Sequence, residues 1–182
     1  MSVLPNPIIL GIDPGTKRIG FGIIKIVRKE VLFIEAGLLV PRLRQSLPKA
    51  DLLANIKNAL ELLAKKYSLN LVAVERVYFG RNISSALAVS EVRGAILLVT
   101  QGLKITAIEV HPTNVKQITC GYGHADKTSI RKMVFRLING IPKSLTSRDA
   151  IDALAIALAG YYAYQNSRLV DKLKKSDKTN SR

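Results

Sequence analysis

The sequence predicts an α/β domain with a five-stranded mixed sheet flanked by helices. Three observations carry that prediction. The first forty residues hold three β-type runs in succession, joined by short polar turns, which is the pattern of an antiparallel meander. A stripe of Leu52, Leu53, Ile56, Leu60 and Leu63 at helical spacing then leads into the short apolar run Leu71 to Glu75, a strand suited to a sheet covered on both faces. A second long helical stretch precedes another β-type run, Ile105 to Val110, so helices and strands alternate in the second half.

Taken in order, Ile8-Ile9-Leu10-Gly11-Ile12 runs straight into Asp13, and Pro14-Gly15 ends the strand in a tight turn. A lone ionised carboxylate at the end of a buried strand is costly unless it is paired. Asp13 therefore either bonds the backbone of its own turn, which is ordinary chemistry for Asp before Pro-Gly, or holds a cation. Lys17 to Val27 reads as the second strand, with Gly20 and Gly22 marking close approach of another backbone or of a ligand. Arg28-Lys29-Glu30 makes a polar turn, and Val31 to Val40 is the third strand. Pro41 to Pro48 is a basic loop, and Lys49 to Tyr67 is the helix that carries the apolar stripe. Glu75 repeats the pattern of Asp13, an acid that closes a buried strand.

The loop Arg76-Val77-Tyr78-Phe79-Gly80-Arg81-Asn82 sets two aromatics between arginines. Ile83 to Gln101 is a long helix in which Ala86, Ala88, Gly94 and Ala95 allow another helix to approach closely; an ordinary core helix has the same composition. His111-Pro112 breaks the fifth strand, and a structural hydrogen bond is the expected role of His111. Thr113 to Cys120 is a short helix, Gly121 to Lys127 a flexible basic loop containing His124, and Thr128 to Asn139 a further helix. The last helix, Ser147 to Tyr164, is nearly all Ala, Leu and Ile after its first turn, so it is buried. Thr146 and Asp149 have the spacing of a capping box at its start. Beyond Asn166 the chain turns polar and lysine-rich. The expected division is a folded domain over 1–165 and a basic, disordered tail over 166–182.

Composition narrows the function. The 182 residues suit one domain, and 48% hydrophobic content supports a real core. No apolar run is read as a membrane span, and the N-terminus lacks a basic region ahead of an apolar stretch, so no secretory signal is expected. The single cysteine, Cys120, cannot form an internal disulfide, which fits a reducing cytoplasm and a small packed side chain rather than a nucleophile. Lys and Arg number 28 against 13 for Asp and Glu, a net charge of +15, of which +4 lies in Arg168 to Arg182. The folded part is thus itself strongly cationic and suited to a polyanion, nucleic acid first.

Asp149 and Asp152 are three apart, so they share a helix face with Cβ atoms about 5–6 Å apart. Two like charges on a face this apolar repel, and one should take a proton unless a cation intervenes; the alternative is a first turn exposed to water with only the later turns buried. The helix N-terminus contributes about 0.3–1 kcal/mol per charge, too little to hold both in a dry site. Glu35, Glu91 and Glu109 are expected to be pairing or surface charges. That leaves four acids, Asp13, Glu75, Asp149 and Asp152, two at strand ends and two opening a helix. Carboxylate oxygens are what hard cations such as Mg²⁺ take as ligands. Two such ions about 3.5–4 Å apart can activate water and stabilise the leaving oxygen of a phosphodiester. A basic surface around an acidic metal centre is the division of labour a nuclease needs.

The motifs IILGIDPGTKRIGFG, VAVERVYFGRNISSALAVSEVRGA, VHPTNVKQITCGYGHADK and SRDAIDALAIAL, in this order and spacing, resemble the RuvC family, bacterial Holliday-junction resolvases of the ribonuclease H-like superfamily. The resemblance runs from about Ile8 to Ala163 and implies a ribonuclease H-like nuclease domain. It matches the family's four metal-binding, catalytic acids to Asp13, Glu75, Asp149 and Asp152. It implies a homodimer bound to a four-way DNA junction, nicking opposite strands symmetrically in recombination and repair, with two Mg²⁺ per site or Mn²⁺ in their place, and a branch-migration motor as partner. The family's stacking aromatic, usually Phe, falls at Tyr78, with Phe79 beside it, so either ring is the wedge; a tyrosine ring stacks on a base as well. Two family lysines match Lys116 and Lys127. Arg76 and Arg81 are DNA contacts by chemistry alone, with surface decoration as the alternative.

Other readings stand beside this one. A related nuclease that trims precursor ribosomal RNA shares the first motif but not the Tyr78-Phe79 loop. A sugar-kinase-like or actin-like fold needs a second phosphate loop, which is not found. A junction-binding protein with a decayed centre would not keep all four acids.

Overall fold

The computed structural model describes residues 5–15, 18–39, 48–77 and 83–179. Five strands and five helices follow in the order β1 (Ile8–Asp13), β2 (Gly20–Val27), β3 (Glu30–Leu38), α1 (Lys49–Tyr67), β4 (Leu71–Glu75), α2 (Ile83–Gly102), β5 (Thr106–Val110), α3 (Pro112–Cys120), α4 (Lys127–Leu137) and α5 (Arg148–Thr179). The sheet order is β3-β2-β1-β4-β5. Strands β1, β2 and β3 form the expected meander, and β4 and β5 run parallel to β1 on its other side. The mixed five-stranded sheet expected from the sequence is therefore present, with β1 at its centre.

Strand periodicity sorts the interior into two layers. Leu10, Ile12, Val72 and Val74 face α1 and α2, where they pack with Ile56, Leu60, Val92 and Ile96. Ile9, Leu71 and Ala73 face the opposite layer of α3, α4 and α5, with Val115, Ile130, Val134 and Leu154. By the same alternation Asp13 lies on the face of Ile9 and Gly11, and Glu75 on the face of Leu71 and Ala73. Both point to the α5 side. Register aligns them: Gly11 pairs with Ala73 and Ile12 with Val74, so Asp13 and Glu75 end adjacent parallel strands, about 4.8 Å apart by sheet geometry.

Helix α5 lies directly on the sheet. Its stretch from Ala150 to Gly160 is buried almost throughout, apart from the half-buried Asp152. Close approach is permitted by glycine. A Cβ on Gly20 would run into the carbonyl oxygen of Asp149, and one on Gly11 into that of Ala153. The approach expected at Gly20 and Gly22 is thus that of a backbone. It carries the first turn of α5 over the ends of β1 and β2.

Several boundaries depart from the sequence reading. The α5 helix does not stop at Tyr164 but runs to Thr179, through most of the stretch expected to be a disordered tail. Lys, Leu and Arg are good helix formers and no Gly or Pro interrupts residues 161–179, so local propensity continues the helix once the buried turns have nucleated it. Its cap is Ser147 rather than Thr146: Ala150 N donates to Ser147 Oγ at 3.4 Å, because the helix starts at Arg148. Helix α2, not read as a membrane span because charges and glycine interrupt it, is long and apolar enough for one by length and composition alone. Its charges are nonetheless committed to this domain: Lys49 Nζ donates to Glu91 at 2.9 Å, and Arg93 Nε to Glu109 at 2.8 Å.

Candidate active site

The expected acids converge where the sheet and α5 meet. Asp13, Glu75 and Asp152 line one pocket of about 320 Å³ together with Lys116, Asp126 and Lys127. Its apolar wall comes from Pro112 and Val115 of α3, Ile130 of α4, and Ala155 and Ile156 of α5. Asp149 is not among the lining residues. It sits one turn earlier on α5 than Asp152, its backbone against Gly20, and its charge still acts on Asp13.

Electrostatics mark the centre as short of positive charge. Asp13 is raised from 3.8 to about 6, first by burial and then by the negative charges of Asp152 and Asp149. Glu75 is raised from 4.5 to about 7, first by burial and then by Asp13 and Asp152. Nearby lysines only partly offset this, Lys127 at both acids and Lys116 at Glu75. Among the described residues, burial and neighbouring carboxylates govern Asp13, and no hydrogen bond to its turn contributes. The charge of Asp152 acts on both Asp13 and Glu75, and that of Asp149 on Asp13. Each member of that pair has a basic neighbour: Arg18 lies 3.6 Å from Asp149, and Lys127 3.2 Å from Asp152.

The donor set fits a hard divalent cation. It is all carboxylate, half-buried, and carries more negative charge than its lysines neutralise. Among the described residues no three such side chains already close on one point as a metal cage. Magnesium does not require one, since it keeps several waters and takes one or two carboxylates plus substrate phosphate. Arg18 and Lys127 stand against the outer pair, Asp149 and Asp152.

Some site residues were not singled out by the sequence reading. Arg18 is one, five residues after Asp13 within the first motif. Asp126 is another: it caps α4 by accepting from Ser129 N at 2.7 Å, which lowers its pKa, and it sits on the pocket rim. An Asp just before a helix is a readable cap signal. His111 caps α3, its Nδ1 accepting from Thr113 N at 3.2 Å, in agreement with the structural role expected. Glu35 pairs with Lys66 and Tyr67, Glu91 with Lys49, and Glu109 with Arg93, as expected of pairing charges. Arg76 turns toward Glu109, with Nε at 3.9 Å. Cys120 is half-buried and its thiol is raised by burial. Tyr78, Phe79 and Arg81 lie outside the described residues.

Comparison with known proteins bears on the family and the fold. The family model described as "Crossover junction endodeoxyribonuclease RuvC" matches residues 9–160. A RuvC of Roseiflexus sp. is 34% identical over 163 residues, 90% of this chain and 95% of the relative. That of Petrotoga mobilis is 38% identical over 150 residues, 82% of this chain and 90% of the relative. Among solved structures, Thermus thermophilus RuvC in complex with a Holliday junction substrate superposes with a TM-score of 0.78 at 25% identity, covering 88% of this chain and 96% of that one. The match spans the strands and the helix that carry all four acids, and with it the readings left open by the sequence reduce to one: this chain is a member of the RuvC family of crossover junction endodeoxyribonucleases.

Proposed function

We propose that this endonuclease resolves four-way DNA junctions with Mg²⁺ held by Asp13, Glu75, Asp149 and Asp152, working as a homodimer in the cytoplasm. The observation that carries the metal reading is that Asp13 and Glu75 end adjacent strands, both raised first by burial and then by neighbouring carboxylates, which the lysines only partly offset. Bound divalent ions supply activation of water and stabilisation of the leaving 3′-oxygen in an in-line displacement. Lys116 and Lys127 meet the phosphodiester, and the apolar wall of Val115, Ile130 and Ile156 limits water on one side. In this reading Asp152, half-buried and accepting from Lys127, is the carboxylate that orients the attacking water or takes its proton. Tyr78 or Phe79 stacks on a base near the junction centre, and Arg76 and Arg81 hold the backbone. A branch-migration motor is the expected cellular partner.

Support for the dimer comes from α2. Ile83, Leu87 and Leu98 are 62%, 53% and 75% exposed, and Gly94, on the same face, has open space above it. An apolar stripe of this kind on a helix otherwise packed on α1 suits a second copy of the chain. Paired nicks need two centres facing opposite strands, which one protomer cannot provide.

The test is a synthetic four-way junction with each strand end-labelled in turn. Symmetric nicks in two opposite strands, dependent on Mg²⁺ and leaving 5′-phosphates, are expected. Preferential cutting of a precursor RNA, or cutting that persists with chelator, overturns the reading.

A further inference from the structure

A second groove, of about 470 Å³, opens beside the catalytic pocket between the starts of α4 and α5. Lys127 and Asp152 line both cavities, so the two adjoin across this pair. The remaining polar lining is Thr128, Arg131, Thr146 and Arg148, which makes the groove a concentration of cations and hydroxyl donors. Its one carboxylate, Asp152, is already engaged by Lys127. Neither arginine lines the catalytic pocket, so the proposed chemistry leaves both unexplained.

Arg131 is held in position before any ligand arrives. Its Nη2 donates to the carbonyl of Leu145 at 3.2 Å, and its guanidinium lies 5.1 Å from the centre of the Phe135 ring. A guanidinium has five N–H donors in a rigid fork, and a fork fixed in advance loses little freedom when it takes a phosphate in bidentate fashion. Arg148 adds an exposed charge on the other lip, one residue before Asp149. A strand whose scissile phosphate sits among the acids has its neighbouring phosphate within reach of this groove.

We propose that the groove is a second phosphate site, in which Arg131 and Arg148 grip the cleaved strand at a phosphate flanking the cut and so register the scissile bond over the acids. The proposal rests on the pocket being the strand-cutting centre. Both arginines act as positioning residues, since neither touches the reacting atoms.

The experiment uses junctions carrying a single neutral methylphosphonate at each position on either side of the cut. Neutralisation at one flanking position should lower wild-type kcat/KM about 10-fold, and Arg148→Gln and Arg131→Gln should each cost a similar factor on the unmodified junction. Neither variant should lose more at that position, and Arg131→Lys should not restore the loss. The proposal is overturned if no flanking position responds in the wild type, or if the two losses multiply. Arg148 is exposed, so its variant keeps the test valid should Arg131→Gln lower the melting temperature. Binding of the same junctions by fluorescence anisotropy reads the groove without cleavage. A wild type that fails to cut the unmodified junction but shows the position-specific binding loss overturns the reading of the pocket and leaves the groove standing.

Discussion

Lys127 Nζ lies 3.2 Å from Asp152 Oδ2 at the pocket that Asp13 and Glu75 also line. The lysine side chain is 80% exposed and the aspartate 23%. Asp152 is the main reason the lysine's pKa is raised. A pair with so exposed a member contributes about 0–1 kcal/mol, so an incoming cation or phosphate displaces the ammonium easily. Lys127 partly offsets the carboxylates, and in the proposed reaction it turns from Asp152 to the substrate phosphate.

Replacing Lys127 by Met should therefore cost more in cleavage than in affinity. Loss of one charged contact to a phosphate in the transition state predicts a fall of about 10–100-fold in single-turnover cleavage, with junction binding changed several-fold at most. Equal losses in both would mean that the lysine only supplies affinity.

Asp13→Asn should abolish cleavage, spare junction binding and stabilise the metal-free fold at alkaline pH. The sign follows from the raised carboxyl. Its folded pKa, about 6, lies above the unfolded 3.8, so the folded state binds the extra proton and loses stability as pH rises through that window. At pH 8 the penalty that asparagine removes is about 2–3 kcal/mol at most, or roughly 4–12 °C in Tm. Below pH 4 the gain should disappear. Melting curves in EDTA at pH 4 and pH 8 read this directly, and a pH-independent difference would contradict it.

Gly20→Ala should damage the site from outside it. The added Cβ meets the Asp149 carbonyl, which belongs to the backbone and cannot step aside as a side chain can. A shift of α5 of this kind costs about 1–3 kcal/mol. Thermal melts should show the loss, and cleavage should fall further than stability alone explains because both helix acids move. Unchanged cleavage would mean that α5 tolerates displacement.

Leu98→Glu should leave the monomer folded and break the proposed dimer, since Leu98 is 75% exposed and lies on the face of α2 turned from α1. Light scattering should report a halved mass. Junction cutting should change from paired to single nicks, whereas a mass unchanged by the charge would remove α2 from the interface.

Much of this centre could be read before any coordinates. Asp13 and Glu75 announce themselves by closing apolar runs, and Asp149 and Asp152 by their spacing on an Ala-rich helix. Both signals are local. The adjacency of Asp13 and Glu75 is not, because it depends on β4 crossing over to pair with β1, and residue spacing alone does not specify strand order. Arg18 and Arg131 escaped notice for a related reason: one arginine among many in a cationic chain carries no local mark, and only tertiary placement singles it out. The length of α5 was misjudged because lysine-rich sequence suits a solvated helix and a disordered tail equally well.

Helix α5 seals the larger apolar layer and, at its first turn, carries half of the carboxylates. Catalytic alignment and thermal endurance are thereby welded together in one element. Variants that loosen the alanines behind Asp152 should go silent as enzymes while still scoring as native by circular dichroism, and gains in rigidity along that rod should widen the temperature range over which junctions are cut.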